Sequence, residues 1–192
     1  MRHSLGFAAL AALTVTVPSL AAQAPSLPPA PHACFRGRPL AECDGFWITE
    51  FTVAKPLSNS GDEIDRLPLF TWELGGMKNV GPRSAVGATL LLEQSGLGYQ
   101  RTGFAPRFRY WVTPDLPIDL SGGLTTKGWL GRVGVSFGDY LGASLQAEGH
   151  ANPWGNRTTT WYLGGRLGAG PGLVAGGAVL AFLVVGTAIA FR

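Results

Sequence analysis

The sequence predicts an all-β protein, an eight-stranded antiparallel up-and-down meander barrel followed by one C-terminal transmembrane helix. Three observations predict it. From Gly45 to Gly168 apolar residues recur with a period of two, in eight runs separated by turn residues. The polar phase of those runs carries glycine and charges of both signs. After Pro171, residues Leu173 to Phe191 hold no charge, and the alternation is lost.

Composition narrows the class. Only 14% of the 192 residues are charged, against about 25% in an ordinary soluble domain. The net charge is +3 and no Lys/Arg stripe forms, so the sequence has no nucleic-acid footprint. No metal or cofactor motif stands out.

The chain begins with a secretory signal over 1–24. Arg2 and His3 give a positive n-region, Leu5 to Val17 an apolar h-region, and Ala22-Gln23-Ala24 a cleavage site, with Ala21/Ala22 as a close alternative. Pro31-His32-Ala33 before Cys34 lacks the leucine of a lipoprotein acylation box. Residues 25–44 are a proline-rich linker leading into the stretch CFRGRPLAEC. Cys34 and Cys43 are the chain's two cysteines, and in an exported protein they read as a disulfide. A metal pair lacks partners, since the histidines are His3, His32 and His150.

The barrel domain is assigned to 45–168. Its first run places Trp47, Phe51 and Val53 opposite Glu50; a polar loop, 55–66, follows. In the second, Phe70, Trp72 and Leu74 oppose Thr71, Glu73 and Gly75. Gly81-Pro82 turns into the third, where Val86, Ala88, Leu90 and Leu92 oppose Gly87, Thr89 and Glu93. The fourth and fifth form a hairpin over GFAPRFRYWVTPDLPIDLSGGL. Phe104, Phe108, Tyr110, Leu116, Ile118 and Leu120 make one face; Arg107, Arg109, Trp111, Asp119 and Ser121 make the other. With a turn at Thr113-Pro114-Asp115, residues pair when their numbers sum to about 228, so Arg109 faces Asp119. In the sixth run Trp129, Val133 and Val135 oppose Arg132, Gly134 and Ser136; Gly138-Asp139 is a tight turn. In the seventh Leu141, Ala143 and Leu145 oppose Gly142, Ser144, Gln146, Glu148 and His150. After a loop over 150–157, the eighth sets Trp161, Leu163 and Leu167 against Tyr162, Gly164 and Arg166.

Most runs are about nine to eleven residues long, enough to span a bilayer when tilted. This pattern of eight alternating runs, mixed turn lengths and a secretion signal resembles the small eight-stranded outer-membrane barrels of the OmpA/OmpX type. The resemblance is architectural. It implies a bacterial cell-envelope protein embedded in the outer membrane, with the lipid bilayer as its partner and loops 55–66 and 150–157 as exposed elements for a protein or surface ligand.

Alternation alone does not say which face is outside. A soluble periplasmic β domain, apolar face inward and tethered to the inner membrane by the C-terminal helix, fits it too. Three features favour the membrane barrel. Gly75, Gly87, Gly123, Gly134, Gly142 and Gly164 share the polar phase, where a narrow lumen needs small residues beside large ones. Glu50, Glu73, Asp119 and Glu148 share it with Arg107, Arg109, Arg132 and Arg166, a set able to pair into an interior network. Trp47, Trp72, Trp129 and Trp161 lie in the apolar phase, where an interfacial girdle belongs.

Residues 170–192 are expected to form the transmembrane helix. At about 1.5 Å per residue, the charge-free run approaches the roughly 30 Å of a hydrocarbon core. Gly172 and Gly176 form a small-xxx-small pair that permits close packing. The connection at 168–172 cannot cross a periplasm, so barrel and helix belong to one membrane, or the β domain sits directly on its anchor. Arg192 is the one charge beyond the run, a weak orientation signal.

Chemistry is sparse. His150 with Glu148, and Ser136 or Ser144, are the residues an acyl hydrolase such as the barrel lipid A deacylases would draw on. Ser144 is six residues from His150 on one strand, too far for a hydrogen bond, and Ser136 would need favourable register. No nucleophile elbow or zinc motif is present. Eight strands enclose a filled lumen, which argues against a diffusion pore. The sequence therefore points to a non-enzymatic structural or surface-interaction barrel.

Overall fold

The computed structural model describes residues 33–40, 42–57, 67–95, 99–151 and 157–190. The signal segment 1–24, the linker up to residue 32 and most of loops 55–66 and 150–157 lie outside the described residues. Among those described, nine strands and one helix form: β1 (Ala33–Cys34), β2 (Gly45–Pro56), β3 (Leu69–Gly81), β4 (Ser84–Ser95), β5 (Tyr99–Thr113), β6 (Leu116–Thr125), β7 (Gly128–Phe137), β8 (Leu141–Ala151), β9 (Arg157–Leu167) and α1 (Ala169–Ala190).

Strands β2 to β9 pair in sequence order, each antiparallel to the next, and β9 closes on β2 through Phe51–Leu167 to Pro56–Tyr162. This is a closed eight-stranded meander barrel. Closure leaves no free edge along the paired length. β5 runs 15 residues, longer than the sequence pattern suggested. The β5–β6 hairpin is tighter than expected: Thr113 and Leu116 already pair, so Pro114-Asp115 is a two-residue turn, and an irregularity between Trp111 and Thr113 absorbs the difference.

The faces divide with the apolar side outward. Leu90, Phe104, Leu120, Leu124 and Leu163 are exposed, while Glu73, Arg109, Asp119 and Glu148 are buried. The soluble arrangement needs the opposite orientation. Inside, apolar clusters flank the charges. Phe46, Ile48, Met77, Ala85 and Trp111 pack at the short-turn end. Ala54, Leu69 and Tyr162 pack toward the long loops, and Leu91, Ala105 and Leu130 form a third cluster.

The segment between β1 and β2 is more than a linker. β1 adds to β2 in parallel at Gly45–Phe46, beyond the point where β9 ends. Cys34 and Cys43 are disulfide-bonded, with Cα atoms 5.9 Å apart, and the loop they close lies over the short-turn end. Gly37 N donates to Asp139 Oδ2 at 2.9 Å. Asn79 Nδ2 donates to the carbonyls of Arg38 (2.8 Å) and Cys43 (2.6 Å). Arg36 and Arg38 reach Asp115 at 3.1 and 2.9 Å.

Helix α1 occupies the expected C-terminal segment, but among the described residues no helix is long and apolar enough to cross a membrane. Its first half lies on the outer wall. Thr49 Oγ1 donates to the Ala169 carbonyl at 2.7 Å. A Cβ at Gly172 would meet the carbonyls of Thr49 and Leu167, and one at Gly176 would meet the Trp72 indole. Thr49 and Phe51 belong to the outward phase yet are buried, because α1 crosses them. The close packing that Gly172 and Gly176 permit is therefore made against the barrel.

Candidate functional site

The densest chemistry in the molecule is its interior. Inward phase on consecutive strands delivers Glu50 from β2, Glu73 from β3, Glu93 from β4, Arg101, Arg107 and Arg109 from β5, Asp119 from β6, Arg132 from β7, Gln146 and Glu148 from β8, and Arg166 from β9. The backbone register sets which of them meet.

The first group centres on Asp119 and Glu50. Arg109 lies opposite Asp119 in the β5–β6 ladder. Its Nε donates to Asp119 Oδ1 at 2.6 Å and its Nη2 to Oδ2 at 3.0 Å, the two-pronged geometry that suits a guanidinium and a carboxylate. Arg107 Nη2 donates to both Glu50 oxygens, at 2.7 and 2.8 Å, and lies 3.0 Å from Asp119 Oδ2. Arg166 reaches Asp119 and Glu50 from the far side, and its Nη2 donates to Ser136 Oγ at 2.9 Å. Room for this guanidinium comes from glycine: a Cβ at Gly134 or Gly142 would stand 2.9 Å from Arg166 nitrogens. Arg109 also lies over the Phe46 and Trp111 rings, at 5.1 and 5.9 Å from their centroids, a favourable cation–π placement.

The second group centres on Gln146. Arg132 Nε donates to Gln146 Oε1 at 2.5 Å, and Gln146 Nε2 donates to Glu93 Oε1 at 3.2 Å and to Glu148. Arg101 binds Glu148, and Arg132 binds Glu73. Thr89 Oγ1 adds a donor to Glu73 Oε2 at 3.0 Å. Arg107 joins the groups through Glu73 at 3.4 Å. All eight charged residues singled out from the sequence thus lie in one connected network.

Sequence reasoning missed four members. Arg101 lies in the same odd-numbered phase as Arg107 and Arg109, but β5 extends further toward the loop than its pattern indicated. Glu93 and Gln146 were visible on the polar phase without a reason to join them. Asp139 is the hardest to read. It occupies the β7–β8 turn at φ 62°, beside Gly138 at φ 58°. From there it takes Arg109 Nη1 at 2.8 Å and Gly37 N. It couples the network to the disulfide loop.

The hydrolase residues are not brought together. Ser136 pairs with Gly142, and His150 with Gly128. The positions are eight residues apart along β8, about 26 Å at a strand's rise. Ser136 is engaged by Arg166, and Glu148 by Arg101 and Gln146. The side chain of His150 lies outside the described residues.

No protein-family model matches the chain, and no curated protein matches it. Among solved structures, a chain from "De novo design of transmembrane beta-barrels" matches at 12% identity and a TM-score of 0.43, covering 69% of this chain and 98% of that one.

Proposed function

We propose that the protein is a non-enzymatic integral β-barrel of the bacterial cell envelope, seated in the outer membrane, with a structural or surface-interaction role. The observation that carries this reading is the inversion of the usual soluble pattern. Leucine, valine and phenylalanine side chains cover the outer wall, and the arginines and carboxylates are enclosed and mutually paired. Water would leave such a wall as an extended exposed apolar surface; hydrocarbon solvates it. Trp47 toward the short turns, and Trp129 and Trp161 toward the long loops, are exposed on that wall where a headgroup girdle would meet them. The route to the envelope is the signal over 1–24. Because α1 packs on the wall, we place it in the same bilayer as the barrel, lying against the outside of the strands. Loops 55–66 and 150–157 are the elements through which a surface ligand or partner protein would be met.

Partitioning of the full chain tests the reading. Expression in a Gram-negative host should give a protein that stays in the membrane pellet through carbonate extraction. It should migrate on gels at two positions, according to whether the sample was boiled. Release into the soluble fraction with a single heat-independent band would overturn it.

A further inference from the structure

We infer that the wedge between helix α1 and the outer wall is a binding site for one acyl chain of a membrane lipid, held with its headgroup toward the long loops. The inference rests on the membrane reading above and adds a specific lipid contact to it.

A groove lies between α1 and the barrel wall. Gly172 and Gly176 touch the wall directly, on the backbone of Thr49 and on the Trp72 indole. Beyond Gly176 a cavity of about 110 Å³ opens between Val179 and the strands. Its sides are apolar: Phe51 and Phe70, stacked with centroids 6.4 Å apart, together with Trp72, Leu92 and Val179. Its far end is polar, with Gln94, Gln100 and Thr102 on β4 and β5 near the long-loop end, beside Glu93 and Arg101 of the same strands. These amides and the hydroxyl continue the outward phase of Leu92 and Phe104 toward the strand ends. The groove therefore changes from apolar to hydrogen-bonding along its length, and the polar end lies where the membrane boundary would fall. An amphiphile aligned with the bilayer normal has that polarity in that direction. A protein segment would not need it, and water has no hydrogen-bonding partners along the apolar sides. The Trp72 Nε1–H is buried beneath α1 without an acceptor.

Trp72 supplies the reporter. The full chain is reconstituted in phosphatidylcholine vesicles containing phospholipid brominated along the acyl chains, and tryptophan emission is followed. The difference between the parent and Trp72→Phe isolates residue 72. Val179→Phe places a ring in the groove from the helix side, and Leu92→Phe does so from the barrel side; circular dichroism checks that each retains its sheet. Quenching of Trp72 in the parent, lost in either filled variant while the remaining tryptophans stay quenched, is the expected result. If the other tryptophans are quenched but the Trp72 contribution is unchanged in both filled variants, no chain enters the groove, and the inference falls while the membrane reading stands. If no tryptophan is quenched, the wall does not face lipid and both fall.

Discussion

At the scale of single residues, the interior is decided by who is left when one charge is removed. Asp119 is approached by three guanidiniums, those of Arg107, Arg109 and Arg166. Asp119→Ala would leave all three sharing Glu50, with Glu73 still reached by Arg107 and Asp139 by Arg109. Removing one partner from a buried pair costs about 3–5 kcal/mol, and a loss of that size is expected in denaturant unfolding of the reconstituted protein. Arg109→Ala should cost a similar amount. The double variant should lose less than the sum of the two, because each single change strands the other's charge. A loss of a few tenths of a kcal/mol for Asp119→Ala would mean a solvated pair. This pairing was legible in the sequence, since a strand pattern and a turn length fix which residues stand opposite. Asp139 was not legible. A residue on a turn has no phase, and its reach to Arg109 depends on left-handed backbone at Gly138 and Asp139 that the sequence only hints at.

At the scale of elements, the eight strands were legible because each turns an apolar face outward and a polar face to the lumen, which writes period two into the chain. The roles of the flanking segments were less so. The disulfide was readable from spacing and address. Its position over the barrel end was not, because that depends on Asn79, Asp115 and Asp139, which are distant in sequence. Mapping of unreduced, alkylated peptides should return a 34–43 link, and reduction should lower stability by about 2–3 kcal/mol for so short a loop. Free thiols at both positions would contradict it. The C-terminal helix was readable as a helix, but nothing in a charge-free run says what it packs on. Since β2 pairs with β9 without any help from α1, deletion of residues 170–192 should leave the sheet intact by circular dichroism. The deletion should also make Thr49 and Phe51 accessible to membrane-soluble probes. Loss of the β signal would mean that α1 is part of the folding core.

At the scale of the whole molecule, a lumen filled by paired charges between apolar clusters is expected to pass no ions. Planar-bilayer recordings of the purified chain should stay at baseline, and steady single-channel steps would refute the filled interior. The order in which the barrel assembles follows from its closing seam. Seven of the eight strand pairings join neighbours in the chain and can form as hairpins extend. The eighth joins residues 51–56 to 162–167, contacts of high sequence separation that form slowly. Glu50, on the first barrel strand, takes Arg107 from β5 and Arg166 from β9. Until the last strand arrives, Glu50 and Asp119 lack Arg166, and an open sheet would present that unbalanced charge to hydrocarbon. Closing the seam and neutralising the lumen are therefore a single late event. A chain stalled before it would be held at the water interface, its hairpins formed and its charges still outside the bilayer.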